Sequence, residues 1–294
     1  MSTVRIRVPA STANLGPGFD TLGCAFAVYN CFTFETAEKT EILGCAPRFA
    51  TEDNLTLRAF RAAEKRAGRA PSAVRITEET HIPNSGGFGS SATFTIGGAM
   101  GANLLLGLGL SKQDIFEIAT EFEGHPDNVA PAVFGGLTAA MMEEGRPYAT
   151  TLPLDPKFKF MFFVPNMHID THAARRVLPP SYSRANTVHT SSHAVMLTAA
   201  LAKGDAALLS LALRDCLHEP YRRPLIRGFK AVEKIALEEG AHSFCISGSG
   251  AACLAIYTGD TADFRARLLK RTARLYEKWR VLPFEVDLEG AKEF

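Results

Sequence analysis

The sequence predicts an α+β protein built from two units that meet near residue 155. Its 294 residues are enough for two domains of ordinary size, each with its own core. Patterns typical of strands and of helices alternate along both halves, and no repeat of fixed period runs through the chain. The composition changes at 150–156, where the run KFKFMFFVP begins and is typical of the first strand of a second unit. We therefore expect domains at residues 1–155 and 156–294.

The first half carries strand patterns interleaved with helix patterns. Alternating or β-branched and aromatic residues predict strands at 4–8, 25–37 and 74–80. Apolar residues at helical spacing, or in a long uncharged run, predict helices at 54–68, 92–110 and 114–123. Ser90 and Ser91 are suited to cap the second of these helices. Ser111 and Asp114 approximate a capping box for the third, which we expect to end at Gly124.

The second half continues the alternation. After the strand at 157–165, two helices are expected at about 185–203 and 225–239. The run SFCISGSGAACLAIY indicates a strand, a tight turn and a second strand. A charged amphipathic helix is expected at 261–280.

Composition narrows the classes of function. Lys and Arg number 32 against 31 Asp and Glu, and this balance argues against a nucleic-acid or membrane-surface protein. No charged residue occurs at 83–110, a stretch long enough to cross a bilayer, but its many glycines favour a buried helix and we expect no membrane span. The six cysteines form no CxxC pair and the first residues lack a signal-peptide core, so we expect a cytoplasmic protein.

The segment IPNSGGFGSSAT, from Ile82 to Thr93, is the best candidate for a ligand site. Glycine N–H groups that lead into a helix N-terminus form an anion site, although a close approach by another segment of the protein would equally require glycine. The segment lacks the lysine of a Walker A motif. Gly87, Gly89 and Ala92 fit the dinucleotide fingerprint, so an NAD-dependent oxidoreductase is a remote alternative. Its acidic residue about twenty positions on, after a second strand, is missing.

A carboxylate in an unfavourable place marks a second candidate. Glu123 lies at the expected C-terminal end of a helix, where the dipole disfavours negative charge. Polar residues follow it directly, at His125, Asp127 and Asn128. A carboxylate opposite a serine hydroxyl is an oxygen site of the kind that Mg²⁺ takes beside nucleotide phosphates. A second turn with bare backbone, SGSG, lies at 247–250.

Together these segments resemble a known family. PASTANLGPGFDTLG, PNSGGFGSSAT and ISGSGAA, in that order, resemble the three motifs of the GHMP small-molecule kinases. EGHPDNVAPAVFGGL, THAARRVLP and EPYRRPLI narrow the resemblance to the branch that acts on L-homoserine. The resemblance implies a ribosomal protein S5 domain 2-like N-terminal domain and a ferredoxin-like C-terminal domain. It also implies ATP-dependent phosphorylation of the L-homoserine hydroxyl, a step toward threonine, with a different small alcohol such as threonine or pantoate as the alternative.

The resemblance also implies roles for individual residues. Ten would wrap the ATP phosphates: Pro83, Asn84, Ser85, Gly86, Gly87, Phe88, Gly89, Ser90, Ser91 and Ala92. Glu123 and Ser91, or its neighbour Ser90, would hold Mg²⁺. The amino-acid pocket would be formed by Asn14, Asp20, His125, Asn128, Arg175 and Arg222. Thr171 would stand near the substrate hydroxyl, and Glu123, Ser91, Asn128 and Thr171 would form the catalytic set.

Several details stay open at this stage. Arg176 and Arg223 adjoin the two assigned arginines, so each arginine assignment is uncertain by one position. Phe88, Gly86 and Ala251 depart from the family pattern and affect loop shape more than charge. Direct phosphoryl transfer without a dedicated base is favoured, and a homodimer is left open.

Overall fold

The computed structural model describes residues 2–83 and 86–294, and two sheets organise the chain. Seven strands form the first sheet: β1 (Thr3–Ala13), β2 (Leu22–Thr36), β3 (Glu41–Leu43), β4 (Val74–Glu79), β5 (Leu137–Glu143), β6 (Arg146–Leu152) and β11 (Lys292–Glu293). Four strands form the second: β7 (Lys159–Pro165), β8 (Ser243–Ile246), β9 (Cys253–Tyr257) and β10 (Trp279–Phe284). The predicted α+β class with two sheet-based units is confirmed.

Helices cover both sheets. Those of the first half are α1 (Leu55–Arg66), α2 (Ser90–Leu106), α3 (Lys112–Glu123) and α4 (Val129–Phe134). Those of the second half are α5 (Thr171–Arg176), α6 (Arg184–Lys203), α7 (Ala206–Ala212), α8 (Glu219–Arg222), α9 (Phe229–Glu238) and α10 (Thr261–Thr272). Within the described ranges, no helix combines the length and the apolar composition that a bilayer crossing requires.

The first sheet has the order β11-β1-β2-β4-β3, and β5 pairs with the start of β2 and with β6. Its neighbours are antiparallel except β3 and β4. Helix α2 lies on β1 and β2, and its glycines allow close contact. A Cβ on Gly97 would lie 2.6 Å from the ring of Phe32. The uncharged run is therefore a buried helix, as predicted.

The second sheet is antiparallel throughout, in the order β10-β7-β9-β8, and both its faces are covered. Met161 and Phe163 share a core with residues of α9 and α10. The alternate residue Phe162 faces the first sheet, where its ring packs edge-on against Phe26 at 4.9 Å. Because this central core takes residues from both halves, it fixes the two units against each other.

One predicted helix limit is corrected. The helix expected at 261–280 ends at Thr272, and Trp279–Phe284 instead forms β10. Its apolar residues pair with β7, and Pro283 is tolerated because β10 is an edge strand. The boundary near residue 155 stays a prediction. The chain passes from the first sheet to the second between β6 and β7, and β11 returns to the first sheet.

Candidate active site

A cleft of about 990 Å³ is lined by residues of both units. Three segments that the sequence singled out meet along it: the turn after β1, the glycine-rich loop before α2, and the SGSG turn between β8 and β9. Of the sequence-predicted site residues, those that line the cleft are Asn14, Asp20, Pro83, Gly86, Gly87, Phe88, Gly89, Ser90, Ser91, Glu123, His125, Asn128, Thr171, Arg175 and Arg222. Asn84 and Ser85 lie outside the described residues.

The glycine-rich loop packs against the SGSG turn on one side and lines the cleft on the other. Gly87 has φ 85°, and a Cβ there would collide with the carbonyl of Ser247. The Ser247 hydroxyl donates to the carbonyl of Gly87 and lies 2.7 Å from the hydroxyl of Thr12. The three segments are therefore bound to one another. Close approach by another protein segment explains the need for glycine at Gly87, while the same residue also lines the cleft.

The two ends of the loop are anchored differently. The Phe88 side chain is buried and packs against Phe162 and Phe284, with ring centroids 5.1 Å and 6.0 Å away. Ala92, predicted to contact ATP, is fully buried among α2 core residues instead, since its position on the helix faces the sheet. The helix is capped by Gly89, which is left-handed, so the prediction that Ser90 or Ser91 forms the cap is wrong.

Because Ser91 lies in the first helical turn and does not cap it, its hydroxyl is free to reach across the cleft. It donates to Oε1 of Glu123 at 2.6 Å. Burial raises the pKa of Glu123, and the Ser91 hydrogen bond opposes this only in part. No Lys or Arg nitrogen of the described chain lies within 4.0 Å of this carboxylate. A carboxylate and a hydroxyl without a cation form a donor set that suits a hard divalent ion.

The turn after β1 places Asp20 at the cleft, close to His125 and Asp127. Asn14 and Asp20 both adopt left-handed backbone, with φ 70° and 53°, and the Asn14 amide accepts the N–H of Asp20 at 3.0 Å. The Asp20 carboxylate accepts both terminal nitrogens of Arg175, at 2.7 Å and 2.9 Å. The sequence predicted that both groups serve the substrate, and the structure brings them into direct contact.

His125 stands beside this pair. Its Nδ1 lies 2.6 Å from Oδ1 of the buried Asp127. Burial lowers the pKa of His125, but the hydrogen bond and the charge of Asp127 outweigh it, so the pKa is raised overall. One ligand atom from each of Asp20, His125 and Asp127 lies within 4.8 Å of the others. The cluster thus holds two carboxylates at the cleft, Asp20 paired with Arg175 and Asp127 with His125.

Arg222 is a buried cation without a carboxylate. It is 2% exposed, and its guanidinium donates to the carbonyls of Ala174 and Gly248, each at 3.2 Å. Burial lowers its pKa, and the charge of Arg175 adds to this. Among the residues with described positions, no carboxylate oxygen lies within 4.0 Å of it. Buried charges are normally paired, so this position favours an anionic ligand.

The structure favours one member of each neighbouring pair of arginines and serines that the sequence left open. Arg223 forms ion pairs with the buried Glu219 and with Glu233, and is committed to the protein. Arg176 is exposed and does not line the cleft. The geometry thus favours Arg175 and Arg222 for a ligand, and Ser91 over Ser90 as the partner of Glu123.

Thr171 and Asn128 lie between the two ends of the cleft. Thr171 is the first residue of α5, and its hydroxyl lies 3.2 Å from that of Ser249 in the SGSG turn. Asn128 precedes α4 and accepts the Ser11 hydroxyl at 3.1 Å, and both side chains touch the position that a Cβ on Gly89 would occupy. Polar groups of both units therefore converge beside the glycine-rich loop.

Sequence reasoning missed the other end of the cleft. Residues between β3 and α1, together with the buried Glu78, extend it beyond the loop, and they are Cys45, Arg48, Phe49, Thr51, Asp53 and Asn54. No motif marks them. The available signal was positional, because an irregular stretch of some ten residues separates β3 from α1.

The fold and the site together define the class of protein. Residues 54–136 match the family model described as the GHMP kinases N-terminal domain, and residues 197–274 match that described as GHMP kinases C-terminal. The two-unit architecture with its cleft is that of a GHMP kinase, and the expected fold is confirmed.

Relatives define the particular family. A homoserine kinase of Synechococcus sp. is 42% identical over 267 residues, which cover 88% of this chain and 87% of the relative. One from Clostridium beijerinckii is 37% identical over 98% of this chain and 97% of the relative. The crystal structure of homoserine kinase from Cytophaga hutchinsonii superposes with a TM-score of 0.90 at 27% identity, covering 100% of this chain and 98% of that one. The chain belongs to the homoserine kinase family.

Proposed function

We propose that this protein transfers the γ-phosphoryl group of ATP to the side-chain hydroxyl of L-homoserine. The observation that carries the proposal is Arg222, a buried guanidinium in the cleft with no carboxylate of its own among the described residues. A substrate carboxylate would supply the missing partner through a charge-assisted hydrogen bond. The chemistry of the relatives named above supports the same reaction.

The remaining groups of the pocket suit the rest of an amino acid. Asp20, with His125 and Asp127 behind it, offers negative charge to an ammonium group. Arg175 lies beside Asp20 and would share the carboxylate with Arg222. Thr171 and Asn128 offer a hydroxyl and an amide where the substrate hydroxyl would approach the loop. A hydroxy acid without an ammonium would leave Asp20 without a partner once it parts from Arg175, which favours homoserine over pantoate or mevalonate.

ATP would occupy the part of the cleft that begins at the glycine-rich loop. The N–H groups around Gly86 and Gly87 and the N-terminus of α2 suit its phosphates. Glu123 and Ser91 would hold Mg²⁺, and the fit rests on a half-buried carboxylate that no described Lys or Arg neutralises. When bound, the ion supplies positive charge that neutralises the phosphates. The segment 45–54 would take the nucleoside.

Direct transfer needs orientation more than proton abstraction, because phosphoryl transfer has a loose transition state. The carboxylate of Asp20 is engaged by Arg175 and that of Asp127 by His125, so neither stands free as a base. We assign the chain the task of aiming the hydroxyl in line with the γ-phosphorus and excluding water, with no dedicated base. That the protein is cytoplasmic stays a prediction, and so does the homodimer that the sequence left open.

A coupled ADP-release assay tests the proposal across homoserine, serine, threonine, pantoate and mevalonate. We expect turnover to be highest with L-homoserine and to require Mg²⁺. Preference for another alcohol would contradict the assigned substrate while leaving the kinase class intact. The NAD-dependent alternative has lost its structural basis, since α2 is followed by α3 and not by a parallel strand. Thermal protection by ATP but not by NAD is the expected control.

A further inference from the structure

One aromatic ring lies beside both cleft arginines. The guanidinium carbon of Arg222 is 5.2 Å from the ring centroid of Phe19, and that of Arg175 is 5.4 Å from it. The same ring stacks on His218, with centroids 5.2 Å apart and planes 25° apart. Phe19 also lies directly before Asp20 in the turn after β1. The ring is therefore a contact shared by the two cations expected to meet a substrate carboxylate.

The physical problem at this position is repulsion. Arg175 and Arg222 carry like charges: burial lowers the pKa of Arg222 and the charge of Arg175 adds to this, whereas the bond to Asp20 raises the pKa of Arg175. The face of an aromatic ring carries the negative part of a quadrupole and attracts guanidinium groups most strongly where they are desolvated. An aliphatic side chain of the same size would exclude water equally well but would give no such attraction.

His218 completes the arrangement without adding charge. Burial lowers its pKa to about 4, so the imidazole is neutral at physiological pH. Its Nε2 lies 2.8 Å from the carbonyl of Gly16 and must donate there, which leaves Nδ1 to accept from Arg222 at 3.3 Å. The ring of Phe19 thus stacks on a neutral imidazole. The only cations that it attracts among these neighbours are the two guanidinium groups.

The turn holds the ring in place. The Leu22 N–H donates to the Gly18 carbonyl at 2.8 Å, and the Asp20 N–H donates to the Asn14 side chain at 3.0 Å. Asn14 in turn donates to the carbonyl of Gly248, at 2.8 Å. The turn that carries Phe19 is therefore fixed to the SGSG turn of the second unit, and the ring itself stacks on His218.

We infer that Phe19 is a positioning residue that holds Arg175 and Arg222 together, ready for the carboxylate of an amino-acid substrate. The inference deepens the proposed function and rests on it. With an aliphatic residue at this position the two guanidinium groups lose the contact that they share, and the partly exposed Arg175 can turn away from the buried Arg222. The substrate must then draw them back when it binds. The expected defect is in amino-acid binding and leaves nucleotide binding and the chemical step unchanged.

Substitution by leucine and by tyrosine gives the first test. We expect Phe19→Leu to raise KM for homoserine about three- to tenfold, between the effects of an exposed and a desolvated cation–π contact, with KM for ATP and kcat unchanged. Phe19→Tyr should restore the wild-type KM because it keeps the ring. Phe294→Leu is the matched control, since it removes a ring 4.6 Å from Arg5, a surface pair away from the cleft lining. Thermal unfolding of each variant checks that it is folded.

Fluorination gives a second test that does not alter shape. Phenylalanine with one, two and three ring fluorines at position 19 weakens the quadrupole in steps at nearly constant size. We expect KM for homoserine to rise with each fluorine, and the effect to vanish for an analogue whose carboxylate is replaced by a hydroxymethyl group. A flat series, or a Phe19→Leu enzyme with wild-type KM, overturns the inference while the wild-type enzyme still phosphorylates homoserine. Absence of homoserine phosphorylation by the wild type overturns the proposed function itself.

Discussion

Arg175 and Asp20 face each other as a two-fold hydrogen-bonded ion pair, although 155 residues separate them in the chain. The side chain of Arg175 is 43% exposed and that of Asp20 is 33% exposed. A pair this accessible to water contributes about 1 kcal/mol or less. A zwitterion that offers an ammonium to Asp20 and a carboxylate to Arg175 can therefore replace each partner at small cost.

This pairing predicts how Asp20→Asn will behave. The substitution removes the charge that meets the ammonium and also frees Arg175, so KM for homoserine should rise about tenfold or more. A deaminated analogue has no ammonium to lose, and its KM should change little or fall. Steady-state kinetics with both compounds measure the difference. Equal losses for the two substrates would remove the proposed ammonium contact.

Neighbouring arginines provide a matched pair of substitutions. Arg222→Met should raise KM for homoserine about 10- to 100-fold, the usual effect of losing a charge-assisted contact, with ATP binding intact. Arg223→Met should leave KM unchanged but lower the free energy of unfolding by about 2 to 3 kcal/mol, since it leaves the buried Glu219 without its cation. Kinetics and urea unfolding on both variants decide the matter. A reversal of the two phenotypes would show that the assignment is wrong by one residue.

The metal role of Glu123 is tested by an isosteric change. Glu123→Gln keeps the bond to Ser91 available but removes the charge, and we expect kcat to fall about 100-fold or more with little loss of fold. Titration with Mg²⁺ should show a higher concentration for half-maximal activity than in the wild type. Turnover near the wild-type rate would contradict the metal role.

The packing of the glycine-rich loop predicts an unequal effect of two alanine substitutions. Gly87 and Gly145 have φ values of 85° and 78°, so alanine is strained at both, by about 1 kcal/mol. At Gly145 an added Cβ would meet nothing within 4 Å, whereas at Gly87 it would meet the Ser247 carbonyl. Gly87→Ala should therefore lose about 1 to 3 kcal/mol more stability, together with affinity for ATP. Equal losses in denaturant unfolding would mean that the loops do not need this contact.

The free energy of unfolding should depend on pH through two adjacent buried groups, His218 and Glu219, whose pKa values shift in opposite directions. Burial raises the pKa of Glu219 from 4.5 to about 7, so its contribution is present below pH 4.5 and is lost as the pH rises through 7. Burial lowers the pKa of His218 from 6.5 to about 4, so its contribution is present above pH 6.5 and is lost as the pH falls through 4. The two slopes oppose each other in the wild type.

The Glu219→Gln variant should show the pH dependence of stability that is due to His218 alone. Relative to the wild type, the variant should gain free energy of unfolding as the pH rises from 4.5 to 7, by at most about 3 kcal/mol. Urea unfolding at a series of pH values measures this. Parallel curves for the two proteins would show that Glu219 does not titrate in this window.

Sequence reasoning reached those parts of the site that are fixed by local chemistry. The capping box of Ser111 and Asp114 is present, and the helix ends at Gly124 as expected. A carboxylate at an unfavourable helix end led to Glu123, whose partner is Ser91. These features depend on residues a few positions apart or on one anomalous charge, both of which can be read from the chain.

Other parts depend on distant contacts. The placement of Phe19 beside two arginines follows from the meeting of two units, and no local pattern reveals it. The charged residues after Thr272 continue the helical pattern and predict a helix as far as Arg280, but the pairing of Trp279–Phe284 with β7 makes the end of this stretch a strand. The N-cap at Gly89 could not be predicted from its neighbours in sequence either. Close packing against Ser11 and Asn128 requires glycine there, although other residues cap helices better.

The pairing of β11 with β1 has a consequence for biosynthesis. On the side of β1 that faces away from β2, Ile6 and Arg7 pair with residues of β11. A ribosome makes β11 long after β1, because the whole second unit lies between them in the chain. The amino-terminal sheet therefore keeps an open edge during translation, and its closure follows synthesis of the unit that forms the other wall of the cleft.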